Sequence, residues 1–344
     1  MKRGLLLLSL IAFLASCQSE EELAPQGEYT FQKPENFPEP TYTFENNPVT
    51  KEGFLLGRKL FFDPNLSRDG SVSCNTCHIQ STAFADAQQH PISIGIDGRI
   101  GIRNAPSIAN MAFYPEFFWD GGVTHLDFVP IVALEAEFEM DESLPRVVEK
   151  LNNDPDYRTM FKEAFDIEEI TLPYTLHAFS QFMTMMVSAN SKYDKFIRGE
   201  GETFTDLELE GMALFKQKCG SCHGGELFTD FSYQNNGLTD NFTDTGRERI
   251  SEFEGDRGKF RVPSLRNVGF TAPYMHNAKF WTLEEVLDHY DSGVVDSPTL
   301  SNKLRDPETG ELGIPLTKDE KTKIIAFLHT LSDYDFRMDT RFQN

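Results

Sequence analysis

Long apolar runs are scarce in this 344-residue chain. Beyond Leu5–Leu14 no segment is apolar enough to span a bilayer, so a body lying outside the membrane is expected. Basic residues are outnumbered: 32 Lys and Arg against 54 Asp and Glu leave a formal charge of −22. Such a surface repels nucleic acid and attracts basic or locally positive partners. Alternating strand patterns are few and no short-period repeat recurs, which disfavours sheet and solenoid architectures. Cysteine is rare too. Four of the five cysteines fall in two matching clusters.

Those clusters are Cys74-Asn75-Thr76-Cys77-His78 and Cys219-Gly220-Ser221-Cys222-His223. C-x-x-C-H is the attachment signature of c-type haem. Two thiols add across the porphyrin vinyl groups, so they must sit three residues apart on one turn. The histidine that follows is carried under the ring as the proximal iron ligand. A zinc ribbon also pairs C-x-x-C units, but its halves lie roughly 15–20 residues apart. A thioredoxin-like pair needs a βαβ context, and none flanks either cluster. The expectation is two covalent haem c groups, on Cys74 and Cys77 with His78, and on Cys219 and Cys222 with His223.

Lys2 and Arg3 precede Leu5–Leu14, a run of signal-peptide length. It ends in Leu14-Ala15-Ser16-Cys17, which resembles the lipobox of bacterial lipoproteins. That resemblance implies removal of residues 1–16, a lipid anchor on Cys17, and export to the periplasmic side or the outer membrane. An ordinary signal peptide with an incidental cysteine is the alternative. Losing Lys2 and Arg3 takes the charge to −24. Residues 17–48 hold Glu, Pro and Asn without periodicity and read as an acidic tether or wrapping arm. The remaining stretch, about 295 residues, suffices for two domains of ordinary size. They are placed at 49–195 and 196–344, with one haem motif each.

The periodic segments are helical. Leu176, Phe179, Met183 and Met186 recur at helical spacing after Thr171 and Pro173, ahead of a polar break at Ser188–Ser191. Thr205 with Glu208, Thr282 with Glu285 and Thr317 with Glu320 are capping boxes, each opening a helix. The fold class expected is mainly α, two cytochrome c-like haem domains with long loops. Thirty Phe residues suit haem pockets, and equally an ordinary core.

Longer motifs follow. Leu56-Gly57-Arg58-Lys59-Leu60-Phe61-Phe62-Asp63 and Leu66-Ser67 precede the first haem motif. Arg103-Asn104-Ala105-Pro106-Ser107, Phe118-Trp119-Asp120-Gly121, Val262-Pro263-Ser264-Leu265-Arg266-Asn267 and Thr271-Ala272-Pro273-Tyr274-Met275-His276 come after it. Together they resemble the bacterial di-haem cytochrome c peroxidases. The resemblance implies a peroxidatic haem in the N-terminal domain and an electron-transfer haem in the C-terminal one. It also implies hydrogen peroxide as substrate, a small cytochrome c or cupredoxin-like donor, and a homodimer as one option for assembly.

Residue roles carry over by position. The family's acid–base lies in a Glu-Met pair after the F-W-D-G tryptophan, which here is Glu139-Met140; the competing reading is a solvated acidic face formed by Glu135, Glu137 and Glu139. Ala136-Glu137-Phe138 replaces the family's Asn-Pro-Val just before it. Trp119 resembles the tryptophan between the haems, or else a packed interface aromatic. Asn104, Thr271 and Pro273 match positions that bind Ca²⁺. Arg261 and His276 are matched to haem propionates. Many members carry a histidine after Ser-Ile-Gly that blocks the peroxidatic iron; here Ile96-Asp97 follows Ser93-Ile94-Gly95, and His90 is the nearest substitute. Where many members have a distal methionine on the second haem, alignment places Tyr290, as in the related di-haem enzyme of methylamine utilisation. Met275 and His289 are local alternatives. His125 is read as a helix cap, and His177 and His329 as packing or surface residues.

Three functional classes remain open on this basis. The first is a peroxidase. The second is a tyrosine-ligated relative that uses peroxide to oxidise a protein or organic substrate. The third is a plain electron-transfer cytochrome, against which Glu139 and the missing blocking histidine count.

Overall fold

The computed structural model describes residues 29–86 and 92–344. The signal-peptide reading of residues 1–16, the anchor at Cys17 and the substitute ligand His90 lie outside the described residues. The described chain is mainly α-helical, and its one small sheet among the described residues pairs Tyr233–Gln234 antiparallel with Phe260–Arg261.

Two helix pairs organise the molecule. In the first half, Lys51–Phe62 packs along Leu172–Thr184. Thr50 caps the former by accepting from the Gly53 amide, with Glu52 in the first turn and Lys59 in the last, each at the favourable end of the helix dipole. Phe54 and Phe61 then meet Phe182 with ring centroids 5.3 and 5.1 Å apart. In the second half, Asp206–Lys218 packs along Lys318–His329. Both open with the expected capping boxes, Thr205 with Glu208 and Thr317 with Glu320, and Phe215 faces Phe327 at 5.2 Å. Each pair crosses at a glycine. A Cβ on Gly57 would stand 2.0 Å from the Ala178 carbonyl oxygen, and one on Gly211 would stand 2.0 Å from that of Lys323. Only glycine lets the backbones approach this closely.

Two apolar cores follow from this pairing, one led by Phe54, Phe61, Phe84 and Phe182, the other by Phe215, Phe228 and Phe327. The polar stretch Ser188–Ser191 follows the end of the Leu172–Thr184 helix as expected, and both serines are buried. Ser188 donates to Asp333 and receives from Asn267, and its amide donates to Asn110. Beside it, Arg266 and Asp194 form a buried ion pair at 2.9 Å. Removing two charges from water is costly, and Ser191 and Asn36 offset part of that cost by donating to the same carboxylate.

Residues 29–48 form an arm laid along the body rather than a free tether. Phe37 and Tyr42 are buried in the first core, and the Thr41 amide donates to the Ala112 carbonyl at 2.9 Å. The end of the chain also returns to that core through Phe336 and Phe342.

Candidate haem sites and their opposite faces

Both cysteine motifs sit on helical turns. Ser73 and Thr76 cap the turn Cys74–Cys77 reciprocally, whereas Cys219 follows directly from the Asp206–Lys218 helix. The histidines are oriented in the same way. His78 Nδ1 lies 2.9 Å from the Phe84 carbonyl oxygen, and His223 Nδ1 lies 3.1 Å from that of Phe228. A carbonyl can only accept, so Nδ1 carries the proton in both and Nε2 keeps the lone pair that a metal ligand needs. Each carbonyl is aimed by a left-handed residue: φ is 60° at Phe84 and 53° at Phe228, and both rings are buried. Burial pushes both imidazoles below their usual pKa, which favours the neutral, ligating form.

A large cavity opens in front of the second motif. Cys219, Cys222 and His223 line one side, Met275 and Tyr290 another, and Asn104 and Trp119 reach it from the first half. Tyr290 stands in a π-helical turn, His289–Gly293, which continues the helix Leu283–Asp288. Such turns re-aim side chains at functional sites. Burial pushes the Tyr290 phenol up to about 12, and proximity to Cys222 and Cys219 acts in the same direction, so the ring lies close to the motif. His289 is turned elsewhere: its Nε2 meets the Asn236 carbonyl at 2.9 Å, and it is not on the cavity wall. Met275 is on the wall, its sulfur 3.3 Å from Asn236 Nδ2.

The cavity wall fits a haem. Arg261 is buried, its Nε donates to the Phe118 carbonyl at 3.2 Å, and its Nη1 has no hydrogen-bond partner. An orphaned cationic donor in a mostly apolar cavity is satisfied by a carboxylate-bearing group such as a haem propionate. His276 stacks on Phe260 at 3.6 Å, and burial pushes it down to about 4, so it stays neutral. The three residues matched to calcium, Asn104, Thr271 and Pro273, all line this same cavity. Trp119 donates from Nε1 to the Asn104 carbonyl at 2.9 Å and meets His276 edge-on at 6.4 Å.

The first motif faces a carboxylate instead. Glu135 and Glu137 are exposed, but Glu139 turns inward and is half-buried. The alternation follows from the turn after the helix Val129–Glu135, in which the amides of Glu139 and Asp141 both donate to the Ala136 carbonyl. Burial pushes the Glu139 carboxyl up to about 7. The same carboxylate contributes to raising the thiols of Cys74 and Cys77, after burial and nearer neighbours, so it lies close to the motif. A carboxyl balanced near neutrality can both take and return a proton. At the position of the blocking histidine stands Ile96, buried in the first core, and Asp97, whose side chain is exposed.

Comparison with known proteins is consistent with this arrangement. Residues 51–202 match the family model of di-haem cytochrome c peroxidase. The methylamine utilization protein MauG of Methylorubrum extorquens is 35% identical over 306 residues, 88% of this chain and 83% of that one. The chain belongs to the di-haem cytochrome c peroxidase family. Cytochrome c551 peroxidase of Nitrosomonas europaea is 34% identical over 285 residues, covering 80% of this chain and 79% of its own. Among solved structures, a MauG-like protein associated with microbial copper homeostasis superposes with a TM-score of 0.83 at 32% identity, over 91% of this chain and 98% of that one.

Some participants were not singled out from sequence. Arg103 bonds Asp244 at 2.6 Å and Asp120 at 2.6 Å, tying two family motifs together behind Trp119. Both Arg103 and Asp120 stand inside quoted motifs, so a charge of each sign in two such motifs was the available signal. Phe84, Phe228 and Asn236 act through backbone carbonyls or a side-chain amide, and residue type gave no hint of them. His125 does cap a turn, accepting from the Asp127 amide, and His329 is exposed at a helix end.

Proposed function

We propose that this protein is a peroxidase that reduces hydrogen peroxide to water with two electrons from a small donor protein, a cytochrome c or a cupredoxin. The carrying observation is the inward, half-buried Glu139, held near neutrality beside the first C-x-x-C-H motif with no histidine after Ser93-Ile94-Gly95. When bound, the two haem c groups would supply redox-active iron, one electron each. His78 and His223 each present Nε2 while a backbone carbonyl holds the Nδ1 proton. Glu139 takes a proton from one peroxide oxygen and returns it to the other, the transfer that a carboxyl of matched pKa accelerates by roughly 10²–10⁴. Trp119 stands on the wall between the halves, where an indole shortens the path for electrons. Tyr290 would hold the second haem iron on the side opposite its motif.

Residues 49–195 serve as the peroxidatic domain and 196–344 as the electron-transfer domain. Ca²⁺ at Asn104, Thr271 and Pro273 would fix the loops that join them. The lipobox-like sequence supports a lipid anchor at Cys17 and a periplasmic or outer-membrane location; among the described residues no helix is long and apolar enough to cross a membrane. Mixing the fully oxidised protein with peroxide, then adding reduced cytochrome c, tests the reading. Peroxide should react at once, and donor oxidation should follow. A reaction only after prior reduction of the second haem would overturn the open-site assignment.

Tyr290 favours a second reading, in which oxidising equivalents are spent on a protein or organic substrate. A phenolate ligand stabilises ferric iron, whereas methionine raises the potential. Fast peroxide reaction with negligible oxidation of any small donor protein would select it.

A further inference from the structure

The loop that lacks a blocking histidine is bolted to the loop that carries Glu139. Ser93–Gly101 folds back on itself, with Ile94 bridging Ile100 and the Gly95 amide donating to the Arg99 carbonyl at 2.8 Å. The Ile96 amide donates to the Glu139 carbonyl at 2.9 Å, and the Arg68 amide donates to the Met140 carbonyl at 2.9 Å. Contact at Gly95 is close enough that a Cβ would stand 2.1 Å from the Phe138 carbonyl oxygen.

Four charges close around this seam. Arg68 pairs with Asp97, and its Nε lies 3.2 Å from Asp141. Arg99 lies 3.2 Å from Asp97 and 3.1 Å from Asp141, and also donates to the Glu137 carbonyl at 2.8 Å. An exposed pair alone contributes little, but here each arginine holds both aspartates, so losing one contact leaves the others in place. Glu139 needs such support. Its shift has burial as its only cause, and no hydrogen bond to its carboxylate is found among the described residues, so its aim depends on its backbone.

We infer that Arg68, Asp97, Arg99 and Asp141 form an ionic clamp that presses the 93–101 loop onto the 136–141 turn and thereby positions Glu139. The inference rests on the acid–base role proposed for that residue. The clamp residues are positioning residues, since none is placed at the reacting atoms. Two consequences follow. The 93–101 loop does not swing during turnover, and clamp variants slow the peroxide reaction only through Glu139.

The test uses the intact di-haem protein with Asp97→Ala, Arg99→Gln, Glu139→Gln, and Asp97→Ala combined with Glu139→Gln. Hydrogen exchange of the peptide spanning residues 93–101 is read by mass spectrometry, and the peroxide rate of the ferric protein by stopped flow. Haem content checks that each variant is loaded; Asp97→Asn replaces Asp97→Ala where that variant is not, and Arg99→Ala replaces Arg99→Gln. The clamp predicts exchange faster by about tenfold in Asp97→Ala and Arg99→Gln, and a peroxide rate lower by about the same factor. In the Glu139→Gln background, Asp97→Ala should then cause no further loss of rate. Unchanged exchange would overturn the clamp, and an equal loss of rate in both backgrounds would overturn its action through Glu139. Should Glu139→Gln alone leave the rate intact, the acid–base reading fails and the positioning role with it, while the exchange data still report whether the ring holds the loop.

Discussion

The two halves of this molecule hold their haem motifs alike and face them with different chemistry. Each half crosses a helix pair at a glycine, Gly57 or Gly211, and carries a C-x-x-C-H turn. Each locks the motif histidine onto the carbonyl of a left-handed phenylalanine, Phe84 or Phe228. Beyond the histidine the likeness ends. The first motif looks toward Glu139, raised to about 7, and the second toward Tyr290, raised to about 12. Both shifts have burial as their main cause, yet they leave a candidate proton carrier in one half and a candidate iron ligand in the other. The geometry of the motif histidine is therefore common to both halves, and the difference lies in the wall that each motif faces.

Breaking the symmetry altogether should have the largest effect. Cys219→Ala with Cys222→Ala should leave one covalent haem per chain and abolish donor-driven turnover, as read by haem staining and a steady-state assay. Two haems surviving acid–acetone extraction in that variant would contradict the assignment. Glu139→Gln should keep both haems while slowing the peroxide reaction by roughly 10²–10⁴-fold. Near-wild-type kinetics would return Glu139 to the solvated acidic face formed by its neighbours.

A pH series sharpens the comparison further. Glu139 must be ionised to accept the first proton, and its pKa is raised to about 7. The rate should therefore be on its plateau above that pH and fall about tenfold per pH unit below it. The inflection should vanish in Glu139→Gln. The smallest kinetic effect belongs to the second half. Tyr290→Phe should alter the low-spin ferric EPR signal and leave the peroxide step of the first haem nearly unchanged. An unaltered signal would pass the ligand role to Met275, since His289 is held by the Asn236 carbonyl.

The parts legible in the sequence were those in which residue type alone dictates chemistry or local geometry. The two C-x-x-C-H motifs and the three capping boxes needed no tertiary information, whereas Glu139 was singled out only through the family resemblance. The polar break at Ser188–Ser191 was legible as the stretch that follows the helix, but its burial was not, because serine at a chain break ordinarily signals solvent. Here Asn110, Asn267 and Asp333 supply its hydrogen bonds from distant points of the chain. The clamp around Glu139 was hidden for a similar reason: Arg68, Asp97, Arg99 and Asp141 are ordinary surface residues until three separate loops converge. Likewise, the arm at 29–48 lacks periodicity because it holds to the body through isolated residues, Phe37 and Tyr42, that are buried in the first core.

The return of the C-terminal end to the first core has a consequence for how the molecule comes into being. Phe342 packs on Phe54, Phe84 and Phe182, with centroids 6.0, 6.1 and 5.9 Å away, and Arg337 and Arg341 are bonded to Ser81 and Arg58 across the same seam. A chain synthesised from its N-terminus holds all the first-half residues of that core long before it holds the residue that seals it. The first half of the chain is thus made well before its core can be completed, because Phe342 supplies a ring that Phe54, Phe84 and Phe182 pack against.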